Sequence, residues 1–482
     1  MGVISDFCDQ VIASGRYQEL DRNYVMNQLR ALVGDEDVPT QAGKLVSQLV
    51  DLSISREKIE DSITERTILS DQLYDFLAPL PAQVNEHFWN LAQVSPQQAT
   101  DWFYDLETKT DYVKADAIKK NIEFTRTVAD GNELEITINL SKPEKDPKAI
   151  VAAAHAAANQ YPKCALCMEN EGYRGRLGYA SRTNHRIIRM NIGGETWGFQ
   201  YSPYAYFNEH CIFLLGEHQP MKINQQTLVN LVEIERQLPH YFVGSNADLP
   251  IVGGSMLAHE HYQGGRHTFP MMKAPIKQAV DFPAYPQVTA GIVDWPMSDL
   301  RLQSTDTTAL INLGTHIMTT WQNYSDPMLM IDAGDGEERH HTVTPIMHRQ
   351  GDLFVLDLVL RDNSTNEQYP LGIFHPHEQL WHIKKENIGL IEVMGRAILP
   401  GRLKAELAEV KRYWLGETNE IAASHLSWAK EVQSQTTITP TNVDEVLEQA
   451  VAQVFSDVLA DAGVFKRDDE GAAGWQRFIE QL

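Results

Sequence analysis

The stretch from Asp248 to Gly265 constrains this chain most, because it sets His259, His261 and Gln263 at alternating positions between the pairs Gly253-Gly254 and Gly264-Gly265. In an extended segment, residues i, i+2 and i+4 point to one face. A strand would therefore gather three side chains capable of proton, metal or phosphate chemistry, where a helix would scatter them. The flanking glycines leave backbone that a phosphate-sized group can approach closely. The pattern calls for a sheet with one chemically equipped face, suited to nucleophilic attack on phosphorus. An imidazole can hold a phosphoryl group as a phosphoramidate and so split one transfer into two displacements.

Over these eighteen positions the chain resembles the active-site signature of the class II galactose-1-phosphate uridylyltransferases, also called UDP-glucose–hexose-1-phosphate uridylyltransferases, a branch of the histidine-triad superfamily. The similarity continues in Tyr161 to Asn170, and in His375-Pro376-His377 through Ile383 to Gly395, and so covers most of the chain. The resemblance implies an α+β fold: a duplicated histidine-triad-like antiparallel sheet with flanking helices, plus helical N- and C-terminal extensions. It also implies transfer of UMP from UDP-glucose to galactose 1-phosphate, by a ping-pong route through a uridylyl-histidine. The family's nucleophile maps onto His261, and Gln263 onto the glutamine that hydrogen-bonds the phosphoryl oxygens.

A second H-x-H-x-Q, at His375, His377 and Gln379, repeats the spacing and is a rival for the nucleophile. Spacing alone does not choose between them. The glycines surround only the first motif, which favours His261 and leaves His377 a structural or pocket-lining role. The repeated spacing also points to an internal duplication.

Cys164 and Cys167 stand at zinc-ligand spacing, a moderately specific sign by itself. The resemblance adds His218 and His259, giving a closed Cys2His2 site for a structural zinc. An unmetallated thiol pair is the alternative. Tyr262 to Val280 contains no acidic residue, a departure from the class I second metal site, while His340, His341, His348, His375, His377 and His382 crowd one later segment and leave a second site of different build open. For the substrate, the resemblance nominates Asn246 and Asp248 before the motif, backbone around Gly253, Gly254, Ser255, Gly264 and Gly265, and more weakly Asn208 and Arg266. Asp248 reads equally as a turn cap.

The balance of 41 basic against 65 acidic residues, a net charge of −24, argues against a nucleic-acid polymer or an anionic membrane as partner. An anionic small substrate then needs locally placed cations. Arg174, Arg176, Arg182, Arg186 and Arg189 form the densest basic island, with a solvated face as the alternative for each. No run approaches the ~20 apolar residues of a membrane span, and no N-terminal stretch is built like a secretion signal. A cytoplasmic protein is expected, and a homodimer is implied by the resemblance alone. Four cysteines, Cys8, Cys164, Cys167 and Cys211, do not make a disulfide framework.

Along the chain, periodicity predicts helices over the first ~120 residues, including 21–33 ending at Gly34 and one opening at Ser95-Pro96. A strand pair flanks Asp130-Gly131-Asn132, and the charged 141–148 segment marks a boundary. Strands are expected at 185–192, 211–215, 328–332 and 353–360, and helices at 225–238, around 300–321 and at 443–459. The resulting division is 1–148 mainly helical, 149–290 the first catalytic half, 291–400 the second half, and 401–482 helical. Within the superfamily, a nucleotide-sugar phosphorylase or nucleotide hydrolase using the same histidine is the alternative; outside it, a metal-binding scaffold without turnover.

Overall fold

Four helices, Val3–Ala13, Arg22–Val33, Leu45–Ser55 and Ile63–Asp75, pack an apolar cluster of their own around Phe7, Leu29, Leu49 and Leu69. The second stops where expected, at Gly34, whose φ of +95° favours glycine. The computed structural model describes residues 2–141, 161–254, 256–334 and 338–482. Of the expected boundary at 141–148, only Ser141 lies among them. Helices Pro81–Ala92 and Pro96–Lys109 follow, the latter opened by the Ser95 hydroxyl accepting the Gln98 N–H. They drive Phe88 and Phe103 against Phe199 and Tyr201, each buried ring contributing ~1.5–3 kcal/mol.

Strands β1 (Ile122–Thr127) and β2 (Glu133–Ile138) form the expected antiparallel pair. Ten more build one sheet: β3 (Ile188–Ile192), β4 (Glu195–Tyr201), β5 (Cys211–Leu215), β6 (Phe242–Gly244), β7 (His261–Gly265), β8 (Ile276–Val280), β9 (Thr289–Val293), β10 (Asp299–Ser304), β11 (His341–Gln350) and β12 (Leu353–Asp362). A thirteenth, β13 (Arg396–Leu399), adds parallel to β2. The large sheet runs β3-β4-β5-β7-β6-β11-β12-β10-β9-β8. Its first five strands follow the order first, second, third, fifth, fourth, and β8 to β12 follow the same order outward from the other edge. Each unit carries a long helix between its third and fourth strands, Gln225–Gln237 and Thr307–Gln322. The units join where β6 pairs with β11.

The duplication therefore resides in strand order, and the repeated H-x-H-x-Q is not part of it. The fifth strand of the first unit, β7, corresponds to β12, whereas His375 to Gln379 lie beyond β12 and lead into a short 3-10 helix, Glu378–Leu380. By strand order the second unit begins with β8, ahead of the expected start at 291. Two further expectations fail for local reasons. The helix expected around 300–321 divides into β10 and the shorter helix Thr307–Gln322, because the Asp306 carboxylate accepts the N–H groups of Thr308 and Ala309 and starts the helix there. The strand expected at 328–332 is a single 3-10 turn, Pro327–Leu329, capped by Asp326. One face of the sheet buries Phe213, Tyr262, Leu356 and Leu358 beneath the two long helices. The other face packs Phe242, Ile346 and Val359 under β2, β13 and helix Val443–Ala462.

Candidate active site

β7 projects His261 and Gln263 onto the face that Phe242 and Ile346 share, while Tyr262 enters the opposite core. The strand begins at His261, so His259 stands in the turn before it rather than beside its two neighbours on the strand. There His259 meets Cys164, Cys167 and His218. Nδ1 of His259 lies 3.2 Å from Sγ of Cys164, Nδ1 of His218 lies 3.2 Å from Sγ of Cys167, and the two sulfurs are 3.5 Å apart. All four donor atoms fall within 4.8 Å of one another, the one such metal-ligand group among the described residues. Zn–S and Zn–N bonds of ~2.3 and ~2.0 Å give a tetrahedron with edges of roughly 3.3–3.8 Å, so the donor set fits a zinc ion. The Nε2–H of His259 donates to the Leu215 carbonyl at 2.8 Å, which fixes the tautomer that leaves the Nδ1 lone pair facing the cysteines.

The backbone of His259 also holds His261. Nδ1–H of His261 donates to the His259 carbonyl oxygen at 2.8 Å. Nε2 takes no protein partner among the described residues, so its lone pair is open. Burial pushes the pKa of His261 down to about 4, because a desolvated imidazole resists protonation. A neutral imidazole with one nitrogen tied and the other bare has a lone pair able to act as a nucleophile. Gln263 extends from the next position on the same face, its Oε1 3.0 Å from Nε2 of His210. His210 escaped the motif reading; the available signal was its place two residues before Ile212, the register partner of Gln263.

The rival histidine is placed otherwise. Nε2 of His377 contacts the Ile373 carbonyl at 3.0 Å, its Nδ1 lies 3.3 Å from Asp461, and its ring stacks on Tyr369. Both nitrogens are engaged. The sheet explains the asymmetry further, since one register row crosses Ile212, Gln263, Gly244, Ile346, Asp357 and Arg301. In the first unit that row carries the Gln263 amide, whose nitrogen takes no protein partner among the described residues. In the second, Arg301 and Asp357 are buried and closed on each other at 2.5 Å.

The expected substrate groups are distributed unevenly. The Asn246 side chain accepts the Leu390 N–H at 2.9 Å and underlies Gly254, where an added Cβ would meet Asn246 Nδ2 at 2.6 Å. Asp248 is a clamp. It accepts from the Ile223 N–H at 2.9 Å, Arg339 at 2.8 Å and Thr342 at 2.6 Å, which ties the motif loop to β11. A Cβ on Gly264 would strike the Phe242 carbonyl at 2.5 Å, so strand contact within the fold already requires this glycine. Gly253 bridges to Ala247 within the loop, and Gly265 closes β7 with φ +146°. Ser255 lies outside the described residues. Arg266 is turned from the His261 face and pairs with Asp101 and Glu209, and Asn208 bonds its neighbour Glu209. Within the basic island, Arg186 is bound to Asp75 and to backbone carbonyls, and Arg189 to Glu171. No helix among the described residues is long and apolar enough to cross a membrane.

Two family models match in tandem. The galactose-1-phosphate uridyl transferase N-terminal domain covers residues 15–220, and its C-terminal domain covers residues 233–430. A galactose-1-phosphate uridylyltransferase of Lactobacillus helveticus is 64% identical over 100% of this chain and 99% of that one. Relatives of the same name from Pediococcus pentosaceus and Lactiplantibacillus plantarum are each 57% identical, with 100% of both chains covered.

Proposed function

The chain belongs to the galactose-1-phosphate uridylyltransferase family, and from that premise we propose that it moves UMP from UDP-glucose to galactose 1-phosphate by two displacements at His261. In the first, Nε2 of His261 attacks the α-phosphorus of UDP-glucose. A P–N bond forms, the bond to the bridging oxygen breaks, and glucose 1-phosphate leaves with that oxygen. In the second, a phosphate oxygen of galactose 1-phosphate attacks the same phosphorus, the P–N bond breaks, and UDP-galactose departs as His261 is regenerated.

The observation that carries this reading is the open Nε2 of His261 on an imidazole whose Nδ1–H is already committed. Gln263 is the donor to the phosphoryl oxygens as charge develops on them. Asn246 and the backbone at Gly253 and Gly254 flank the uridine and diphosphate, and Asp248 holds that loop in place. Cys164, Cys167, His218 and His259 would hold a zinc ion, which as a closed four-ligand centre supplies structure and no open coordination position.

The test is intact mass after mixing with UDP-glucose alone. One uridylyl group should be gained through an acid-labile bond, and peptide mapping should place it on His261. An unlabelled protein, or a label on His377, would defeat the assignment.

A further inference from the structure

His210 belongs to none of the motifs, yet it holds the amide that the reaction needs. Its ring is 3% exposed, lies between Tyr206 at 5.5 Å and Phe207 at 4.6 Å, and places Nε2 3.0 Å from Oε1 of Gln263. The backbone aims it there. Glu209 sits in the left-handed region with φ 54°, its carboxylate taken by the Tyr241 hydroxyl and by Arg266. A side chain other than glycine holds that conformation only when its surroundings fix it. With Glu209 committed to one side, the next residue is delivered to the other, diagonal to Gln263 across the β5–β7 ladder.

A primary amide has a donor end and an acceptor end of nearly the same shape, and only its partners decide which way it points. Phosphoryl oxygens require the donor end. We infer that His210 is the positioning residue of Gln263: its Nε2–H donates to Oε1, so that the NH2 group is presented on the face of His261. Among the described residues the amide nitrogen of Gln263 has no protein partner, and Nδ1 of His210 is buried without one. The opposite tautomer would accept from the NH2 group and turn the carbonyl oxygen toward the substrate's anionic oxygens. Burial, which pushes the pKa of His210 down to about 4, keeps the ring neutral and its single proton decisive.

This rests on the reading of Gln263 as phosphoryl donor, and the experiment separates the two. Single-turnover release of glucose 1-phosphate is measured for wild type, H210F, H210Q, Q263A and H210F/Q263A. Q263A should slow release, H210F should slow it by about tenfold or more with little change in KM for UDP-glucose, and the double variant should be no slower than Q263A. H210Q, which can still donate to Oε1, should recover part of the rate. Nitrogen-15 NMR of the wild type should show the neutral Nε2–H tautomer of His210 at pH 7, a measurement independent of how the variants fold. A wild-type rate in Q263A overturns the role of Gln263 and this inference with it. A slow Q263A beside a fast H210F, multiplicative losses in the double variant, or an Nδ1–H tautomer overturns the inference alone.

Discussion

The carbonyl oxygen of His259 accepts a 2.8 Å hydrogen bond from Nδ1 of His261, so one residue offers its imidazole to the cysteine cluster and its backbone to the proposed nucleophile. The two functions read from the motif are thereby mechanically joined. Whatever fixes the His259 turn also fixes the direction in which Nε2 of His261 points.

The first prediction follows at His261 itself. His261→Asn should fold, because its amide can still donate to the His259 carbonyl, but turnover should fall by at least about three orders of magnitude. It should gain no mass from UDP-glucose. Retention of a labelled intermediate would move the nucleophile elsewhere.

The metal cluster gives the second. Cys164→Ser should lower zinc content and melting temperature together, by about 5 °C or more, since assembly of the site is coupled to folding. Through the His259 carbonyl it should also slow uridylylation of His261. Full zinc occupancy in this variant would rule the ligand set out.

Much of this was legible because the signals were local. The Gln225–Gln237 helix, β5 and the β1–β2 pair follow from periodicity and turn residues, and the cysteine spacing led to a cluster that assembles around His259. The misses are places where a non-local contact decides. β11 is interrupted by Pro345, which weakens a strand signal, yet that residue sits in register opposite Leu358 and its carbonyl accepts the Ser245 N–H. Arg266 follows the motif and reads as a weaker substrate contact; its pairing with Asp101, 165 residues earlier, is not visible from the local sequence. The spacing of His375 and His377 carries no hint that the segment lies past the end of β12.

Asp248 supplies a third prediction. Its side chain is 2% exposed and receives three donors from three segments, so Asp248→Ala leaves buried donors unpaired at a cost of about 2–4 kcal/mol. Chemical denaturation should record that loss, and KM for UDP-glucose should rise as the loop loosens. A change under about 0.5 kcal/mol would mean the clamp is dispensable.

The pH dependence of stability makes a fourth. His210 has a folded pKa of about 4 against a reference of 6.5. Above pH 6.5 neither state binds the proton and the residue contributes nothing to the slope. Between 6.5 and 4 the unfolded chain takes up a proton that the native protein refuses, so stability is lost as pH falls. Relative to His210→Phe, the wild type should lose roughly 2 kcal/mol between pH 7 and pH 5. A gap between the two proteins that stays constant over that range would show that His210 titrates normally when folded.

The last prediction comes from the two-step chemistry. If a single site serves both half-reactions, glucose 1-phosphate must leave before galactose 1-phosphate binds, and each presents its phosphate to the same uridylyl-His261. Double-reciprocal plots at several fixed concentrations of the second substrate should then be parallel. The stronger test omits galactose 1-phosphate altogether. Labelled glucose 1-phosphate should exchange into UDP-glucose at a rate comparable to turnover, because the first half-reaction is complete and reversible by itself. His261→Asn should abolish that exchange, while Asp248→Ala should retain it at a raised KM. A requirement for both sugar phosphates before any label moves would indicate direct transfer in a ternary complex. The open Nε2 of His261 would then need another role, such as general base toward the incoming phosphate.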